Sequence, residues 1–460
     1  MARLLVTGGK RLVGEVPING AKNSVLALMV TAALGQGESV IDNVPYDRDV
    51  ATMSTILKEL GVRVAFEPPH RLRIDGSQLN RSTAPYEPVR QMRASFYVAG
   101  LLLARLGKAE VPLPGGCQLG SRPVDFHLRG FEALGAKVQI EHGFMKAEAP
   151  RLRGTSIFIN RSSVGTTVNL MLAASLADGV TVLENAAKEP EIVDQAILLN
   201  QMGARVRGAG TDVIRIEGVP QLHPAEHTAI PDRIEAGTYM MAAAITGGRI
   251  VLEDVEWEHF RTPVVKLQEA GVRIERVGPT QVLVESPVNL SRDVRLRPVD
   301  VETAPYPGFP TDLQQPLVAL LTLADGTSVV RETIFDRFRY VDELRRMGAD
   351  VRVERDTAVV RGVRRLTGAP VEAMDLRAGA ALVIAALAAE GQTRISGVEL
   401  IDRGYEHIEA KLNALGADVV RVDDEGAPAS ATPPASLASA QSEPSMSTNT
   451  SLPAPNPSQA

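Results

Sequence analysis

One short phrase is written six times along the chain, and it limits the fold more than any other feature. Its copies are centred on Gly61 (in Glu59-Leu60-Gly61-Val62-Arg63-Val64), Gly135, Gly203, Gly271, Gly348 and Gly416, at spacings of 74, 68, 68, 77 and 68 residues. In each copy an amphipathic stretch such as Ala51 to Leu60 runs into the glycine, and an alternating stretch such as Val62 to Phe66 follows it. The pattern predicts a helix closed by a glycine and continued by a half-buried strand. Ahead of each phrase lies a small-residue-rich apolar segment: Asn23 to Leu34, Ser95 to Leu106, Thr167 to Ala177, Gly237 to Ile245, Leu317 to Ala324 and Gly379 to Ala389. Helices apolar nearly all round are buried ones. Six units of this kind predict a pseudo-symmetric α/β protein whose inner helices fill the core, with sheets packed outside them. At 460 residues, two domains are expected rather than one ring. The repeats alone are equally compatible with a structural solenoid.

The chain ends in another style. From about Gly426 to Ala460 it is Pro, Ser, Ala, Thr and Asn with one charged residue, Glu443, so residues 425–460 are expected to form a disordered tail. The single cysteine rules out an internal disulfide framework and points to a reducing compartment. The apolar runs Val25 to Leu34 and Ala380 to Ala389 are too short to cross a bilayer, and no signal-peptide core develops after Met1. A cytoplasmic protein without a membrane partner is expected. A net charge of −6 and only 4% aromatic residues argue against a general nucleic-acid binder. There is no P-loop, no GxGxxG after a strand and no GxSxG elbow, so no nucleotide cofactor is indicated. His223 and His227 sit four apart in a proline-rich loop without an HExxH pattern, and no metal is expected.

Chemistry is sought where polar residues interrupt the repeat. The loop Gly115 to His127 gathers the only thiol, Cys117, between glycines, with Arg122 close behind. Glycines would let such a loop swing over a ligand, and Arg122 could fork onto a phosphate or carboxylate. Taken alone, the loop leans slightly towards an ordinary turn holding a small buried thiol. Lys22-Asn23, Arg93-Ala94-Ser95, Ser162-Ser163-Val164-Gly165 and Arg377 open the first, second, third and sixth inner helices. Helix starts present free N–H groups and positive partial charge to anions. Each alone reads as a cap or salt bridge, whereas several at equivalent positions predict one anion-rich cleft. Asp312, in Phe309-Pro310-Thr311-Asp312, should be held ionised by the fifth inner helix, with Thr311 as its cap, and could accept a hydroxyl proton. Asp49, Asp232, Asp375 and Asp402 are weaker candidates, the second and fourth of them beside arginines that suggest plain ion pairs.

These motifs together resemble the UDP-N-acetylglucosamine 1-carboxyvinyltransferase family of enolpyruvyl transferases, over residues 1 to about 424. Carrying the resemblance are Gly20-Ala21-Lys22-Asn23, Met92-Arg93-Ala94-Ser95, Leu113-Pro114-Gly115-Gly116-Cys117, Ser121-Arg122-Pro123-Val124-Asp125, Pro231-Asp232-Arg233-Ile234-Glu235, Phe309-Pro310-Thr311-Asp312, Asp375-Leu376-Arg377 and Ile401-Asp402-Arg403-Gly404-Tyr405-Glu406. The resemblance implies an inside-out α/β barrel in two domains of three repeats each, 22–230 and 1–21 joined to 231–424. It implies transfer of the enolpyruvyl group of phosphoenolpyruvate to the 3-hydroxyl of the nucleotide sugar, with release of phosphate and no cofactor. A silent nucleotide-sugar-binding paralogue and transfer to another acceptor are the alternatives.

Carried over residue by residue, Cys117 is the proton donor and Asp312 the base. Lys22, Arg122 and Arg403 clamp phosphoenolpyruvate, with Lys22, Cys117, Asp312 and Arg403 as the catalytic set. Asn23 contacts the sugar or the ketal, and Arg93 and Arg377 are further cleft cations. Arg122, Pro123, Val124, Asp125 and Phe126 hold the uracil end, Arg161, Ser162, Ser163, Val164 and Gly165 the diphosphate, and Ile334 the nucleotide sugar. His127 belongs to the uracil pocket or is a structural histidine. Three departures stand out: Arg161 where the family has lysine, a segment 335–338 one residue short, and Pro316 in the fifth inner helix. A monomer is expected.

Overall fold

The computed structural model describes residues 2–113, 124–289, 293–423 and 425–427. Each unit supplies an inner helix: Lys22–Ala32, Val98–Leu106, Val164–Ser175, Arg233–Ile245, Gln314–Leu321 and Leu376–Ala388. Each also supplies an outer helix, namely Arg48–Glu59, Asp125–Ala133, Pro190–Gln201, Arg261–Ala270, Val341–Arg346 and Ile408–Ala414. The six phrase glycines after the outer helices all take φ between 92° (Gly416) and 108° (Gly271). A residue with a side chain avoids that left-handed region, so the recurring phrase is one backbone device used six times.

Four inner helices begin three or four residues earlier than their apolar pattern suggests, three of them because polar side chains cap the extra turn. Ser163 accepts from the Thr166 amide, Asp232 from Ile234 and Glu235, and Asp375 from Arg377 and Ala378. The fifth gains its start differently, from the 3-10 turn Thr311–Leu313 that leads into Gln314–Leu321. Pro316 falls in the first turn of that helix, where its missing N–H has no intrahelical partner to lose. The second starts later than expected: Arg93–Tyr97 is a 3-10 turn and the α-helix begins at Val98.

Outside the inner helices lie six small sheets, five of four strands and one of three among the described residues. The apolar side chains form two cores, one from residues 25–229 and the other from 4–18 together with 234–419. This is the inside-out α/β barrel arrangement, three units to each body. The first strands of the chain complete the second body. Arg3–Thr7 lies between Gln392–Ser396 and Val419–Val422, with Leu4 opposite Ile395 and Arg421, and Val13–Pro17 runs parallel to Arg249–Glu253. The backbone therefore passes between the bodies twice, and the two passages lie side by side. Ala21 N–H donates to the Ile230 carbonyl at 2.7 Å and Asp232 N–H to that of Asn19 at 2.8 Å.

A second recurring position becomes visible only in three dimensions. The residue after the strand that leads out of each sheet rests on the end of an inner helix: Gly76 on Ala33, Gly218 on Ala177, Gly362 on Ala324 and Gly8 on Ala389. A Cβ at Gly362 would lie 1.7 Å from the Ala324 carbonyl oxygen. Where the same position holds Ala149, the glycine is moved to the helix end, Gly107. Gly362→Ala is expected to lower stability by about 1–3 kcal/mol or more, since backbone must shift. Equilibrium urea unfolding checks this, and an unchanged midpoint would refute the close approach.

Candidate functional site

The candidate residues gather where the two bodies meet beside the paired passages. Lys22, the first residue of its inner helix and only 8% exposed, extends Nζ to Asp49 Oδ2 at 3.2 Å. Arg403, from the other body, reaches the same carboxylate: Nε lies 2.9 Å from Asp49 Oδ1. Asp49 thus bridges two cations that the sequence assigned to one clamp. Asp47, two residues earlier, is also buried and caps the helix Arg48–Glu59 by accepting from the Val50 amide. Burial, then the neighbouring Asp49 charge, pushes its carboxyl well above the usual range, with Lys22 opposing.

Asp312 stands in the 3-10 turn ahead of the fifth inner helix. Arg337 Nη1 donates to its Oδ1 at 2.7 Å and Arg377 Nη2 to its Oδ2 at 3.2 Å. Burial would raise this carboxyl, but the Arg337 and Arg377 charges outweigh it, with Lys22 adding to them, and hold it far below the carboxylate range. Asp312 is ionised as expected, but the arginines are the main cause rather than the helix start. Thr311 does not cap the helix. Its hydroxyl donates instead to Glu332 Oε2 at 2.8 Å.

Arg377 is 2% exposed, stacks its guanidinium 5.2 Å from the Tyr405 ring centre, and leaves Nη1 without a hydrogen bond. Arg161 reaches across to the other body and donates to the carbonyls of Thr333 (2.9 Å) and Ile334 (3.3 Å). The structure therefore brings Arg161 and Ile334 together. Ser163 caps the third inner helix, Val164 is its first residue, and Gly165 lies against the His127 ring, with Ser162 just ahead. Val124 precedes the helix that Asp125 and Phe126 open, and Asp125 Oδ1 is buried without a partner. Asn23 is half-buried beside Lys22, and Arg93 opens its 3-10 turn near Tyr97 and His127. Cys117, Arg122 and Pro123 lie outside the described residues, as does the tail from 428 onward.

His127 lies within the core. It is buried, bonds Asn169 through Nδ1 at 3.0 Å and meets the Phe96 ring edge-on at 5.0 Å. Burial, and then Arg93, push its pKa down to about 3. The unfolded chain takes this proton near pH 6.5 and the folded one does not, so stability should fall as pH drops from about 6.5 towards 3. One proton corresponds to about 1.4 kcal/mol per pH unit. Unfolding titrations of the native protein and of His127→Gln should differ by that slope; identical slopes would refute a neutral buried imidazole.

Two weaker candidates resolve differently. Asp402 does pair, with Arg421 at 2.7 and 2.9 Å. Asp232 is not held by its neighbour Arg233, which reaches instead to Glu191 of the other body at 3.0 Å. Asp232 caps its own inner helix and accepts from the Lys22 amide at 3.3 Å. Sequence reading missed Glu332, a buried carboxylate that receives Thr303 Oγ1, Thr311 Oγ1 and the Ile334 and Phe335 amides and so ties the Asp312 turn to the Ile334 loop. No local pattern marks it. Among the described residues no cluster of three metal-ligating side chains occurs, and no helix is long and apolar enough to cross a membrane.

Two three-unit bodies joined by a double passage, with a carboxylate and several cations at their junction, are the architecture of an enolpyruvyl transferase. The chain belongs to the EPSP synthase (3-phosphoshikimate 1-carboxyvinyltransferase) family, whose pattern matches residues 6–412. It is 57% identical over 423 residues to UDP-N-acetylglucosamine 1-carboxyvinyltransferase 2 of Symbiobacterium thermophilum, covering 92% of this chain and 98% of that one. Identity to UDP-N-acetylglucosamine 1-carboxyvinyltransferase of Nostoc sp. is 50% over 429 residues, 92% of this chain and 94% of the other. Among solved structures it is similar to the enolpyruvyl transferase NikO from Streptomyces tendae, with a TM-score of 0.82 and 26% identity over 91% of this chain and 98% of that one. EPSP synthase from Acinetobacter baumannii shares the fold at a TM-score of 0.71 and 18% identity, over 92% of this chain and the whole of the other.

Proposed function

We propose that this protein transfers the enolpyruvyl group of phosphoenolpyruvate to the 3-hydroxyl of UDP-N-acetylglucosamine, releasing phosphate, as a cytoplasmic monomer of peptidoglycan precursor synthesis. The observation that carries this reading is the 57% identity, over 98% of its length, to a relative of that name. Domains 22–230 and 1–21 with 231–424 close on the substrates, which enter the cleft between them. Lys22 and Arg403, with Arg122, bind the phosphate and carboxylate of phosphoenolpyruvate and stabilise charge as it moves to the leaving phosphate. Asp312, ionised between Arg337 and Arg377, accepts the proton of the attacking sugar hydroxyl once an arginine releases it. Cys117 delivers the proton to the vinyl carbon. Asn23, Arg93 and Arg377 hold the sugar side, Pro123 to Phe126 the uracil end, and Arg161 to Gly165 with Ile334 the diphosphate and its sugar.

A phosphate-release assay with both substrates tests this. Release should require UDP-N-acetylglucosamine and vanish in Cys117→Ala. Release with 3-phosphoshikimate alone as acceptor would transfer the reading to another substrate, and none with either acceptor would leave a binding protein.

A further inference from the structure

The Asp49 carboxylate occupies both cations that phosphoenolpyruvate needs. Its Oδ2 accepts from Lys22 Nζ at 3.2 Å and its Oδ1 from Arg403 Nε at 2.9 Å, within a side chain that is only 5% exposed. Arg403 grips both oxygens, its Nη2 also reaching Oδ2 at 3.5 Å, so Lys22 and Arg403 share Oδ2 and one carboxylate spans the gap between the cations as a phosphate would. Lys22 and Asp49 come from one body and Arg403 from the other, and the same seam is closed by Arg48 N–H donating to the Asp402 carbonyl at 3.0 Å. An arriving anion must therefore compete with an internal one. Asp49 cannot remain where it is unchanged, because a buried carboxylate robbed of both partners costs several kcal/mol.

We propose that Asp49 is an internal stand-in for the anion of phosphoenolpyruvate: it holds Lys22 and Arg403 paired in the empty cleft, yields them to the cosubstrate, and takes them back as phosphate leaves. This rests on the assignment of Lys22 and Arg403 as the phosphoenolpyruvate clamp. Asp49 is then a positioning residue that sets anion affinity and product release, and the chemical step does not pass through it. The stand-in protects the cleft from cellular anions in general, since any anion that binds must first displace a partner already in place. Weaker affinity is the consequence, and faster clearance of phosphate is its counterpart.

Calorimetric titration of the full chain with inorganic phosphate distinguishes the two layers of the argument. Asp49→Asn should bind phosphate at least about tenfold more tightly, equivalent to about 1.4 kcal/mol. In turnover, its KM for phosphoenolpyruvate should fall and inhibition by added phosphate should strengthen to the same extent. Unchanged or weaker phosphate binding by a folded Asp49→Asn protein overturns the proposal. Lys22→Ala and Arg403→Ala should lose phosphate binding; if both keep it, the clamp assignment fails, whereas if they lose it while Asp49→Asn is unaltered, only the stand-in fails. Should the asparagine variant not fold, crystals of the native protein soaked in phosphate decide. Asp49 must then lie beyond about 4 Å, the limit of an ion pair, from both cations. Contacts retained beside a bound phosphate overturn the proposal.

Discussion

Asp312→Asn lowers kcat for phosphate release by about 10²–10⁴-fold, the usual worth of a positioned general base. Asparagine keeps the shape and one oxygen acceptor but cannot take a proton, so the loss falls on kcat more than on KM. The environment suits this residue to the proposed role of base rather than acid. Burial alone would raise its pKa, yet the Arg337 and Arg377 charges outweigh burial and hold it ionised. Removing one of them, as in Arg337→Ala, should raise its pKa and move the acid limb of the pH–rate profile upward. The same pairing contributes to folding with a definite sign. It is fully present above the ordinary carboxylate value of about 4 and is lost as pH falls below it, so the asparagine variant should lack part of the native acid-induced loss of stability. Activity within about threefold of native for Asp312→Asn, in a protein of native stability, would remove Asp312 from the mechanism.

Lys22→Ala is expected to reduce kcat/KM for phosphoenolpyruvate by about 10²–10³-fold, the effect of deleting one donor aimed at developing charge. Steady-state kinetics in both substrates should show the loss concentrated on phosphoenolpyruvate. Lys22→Arg should recover little. Lys22 is 8% exposed at the start of a helix packed among buried residues, and a planar guanidinium has another shape and reach than its ammonium. Full recovery by arginine would mean that Lys22 supplies only diffuse positive charge.

How far the sequence foretold these features depends on how local their causes are. The six phrase glycines were readable because each answers a requirement of a single residue, a left-handed φ at a helix end. The inner helices were readable from composition, though their first turns were not, because capping aspartates and serines hide the start of an apolar run. Partners were much less legible. Asp49 was named only as a weak candidate, since nothing near it announces an arginine 354 residues away. Glu332 was missed for the same reason: its four partners come from two loops. The segment 335–338 is one residue short, and yet the Arg337 guanidinium within it reaches Asp312 at 2.7 Å. The glycines that rest on helix ends, such as Gly362, escaped notice because their necessity lies in a carbonyl oxygen of another element.

The strand Arg3–Thr7 has an implication for synthesis. It leaves the ribosome hundreds of residues before either of its neighbours, Gln392–Ser396 and Val419–Val422. Residues 25–229 can condense around their own apolar interior while that leading ribbon is still waiting. Ring closures spanning so much chain are slow, and an unmatched edge is prone to pair wrongly in the interval. Refolding should accordingly show two phases, with the body that joins residues 4–18 to 234–419 maturing second.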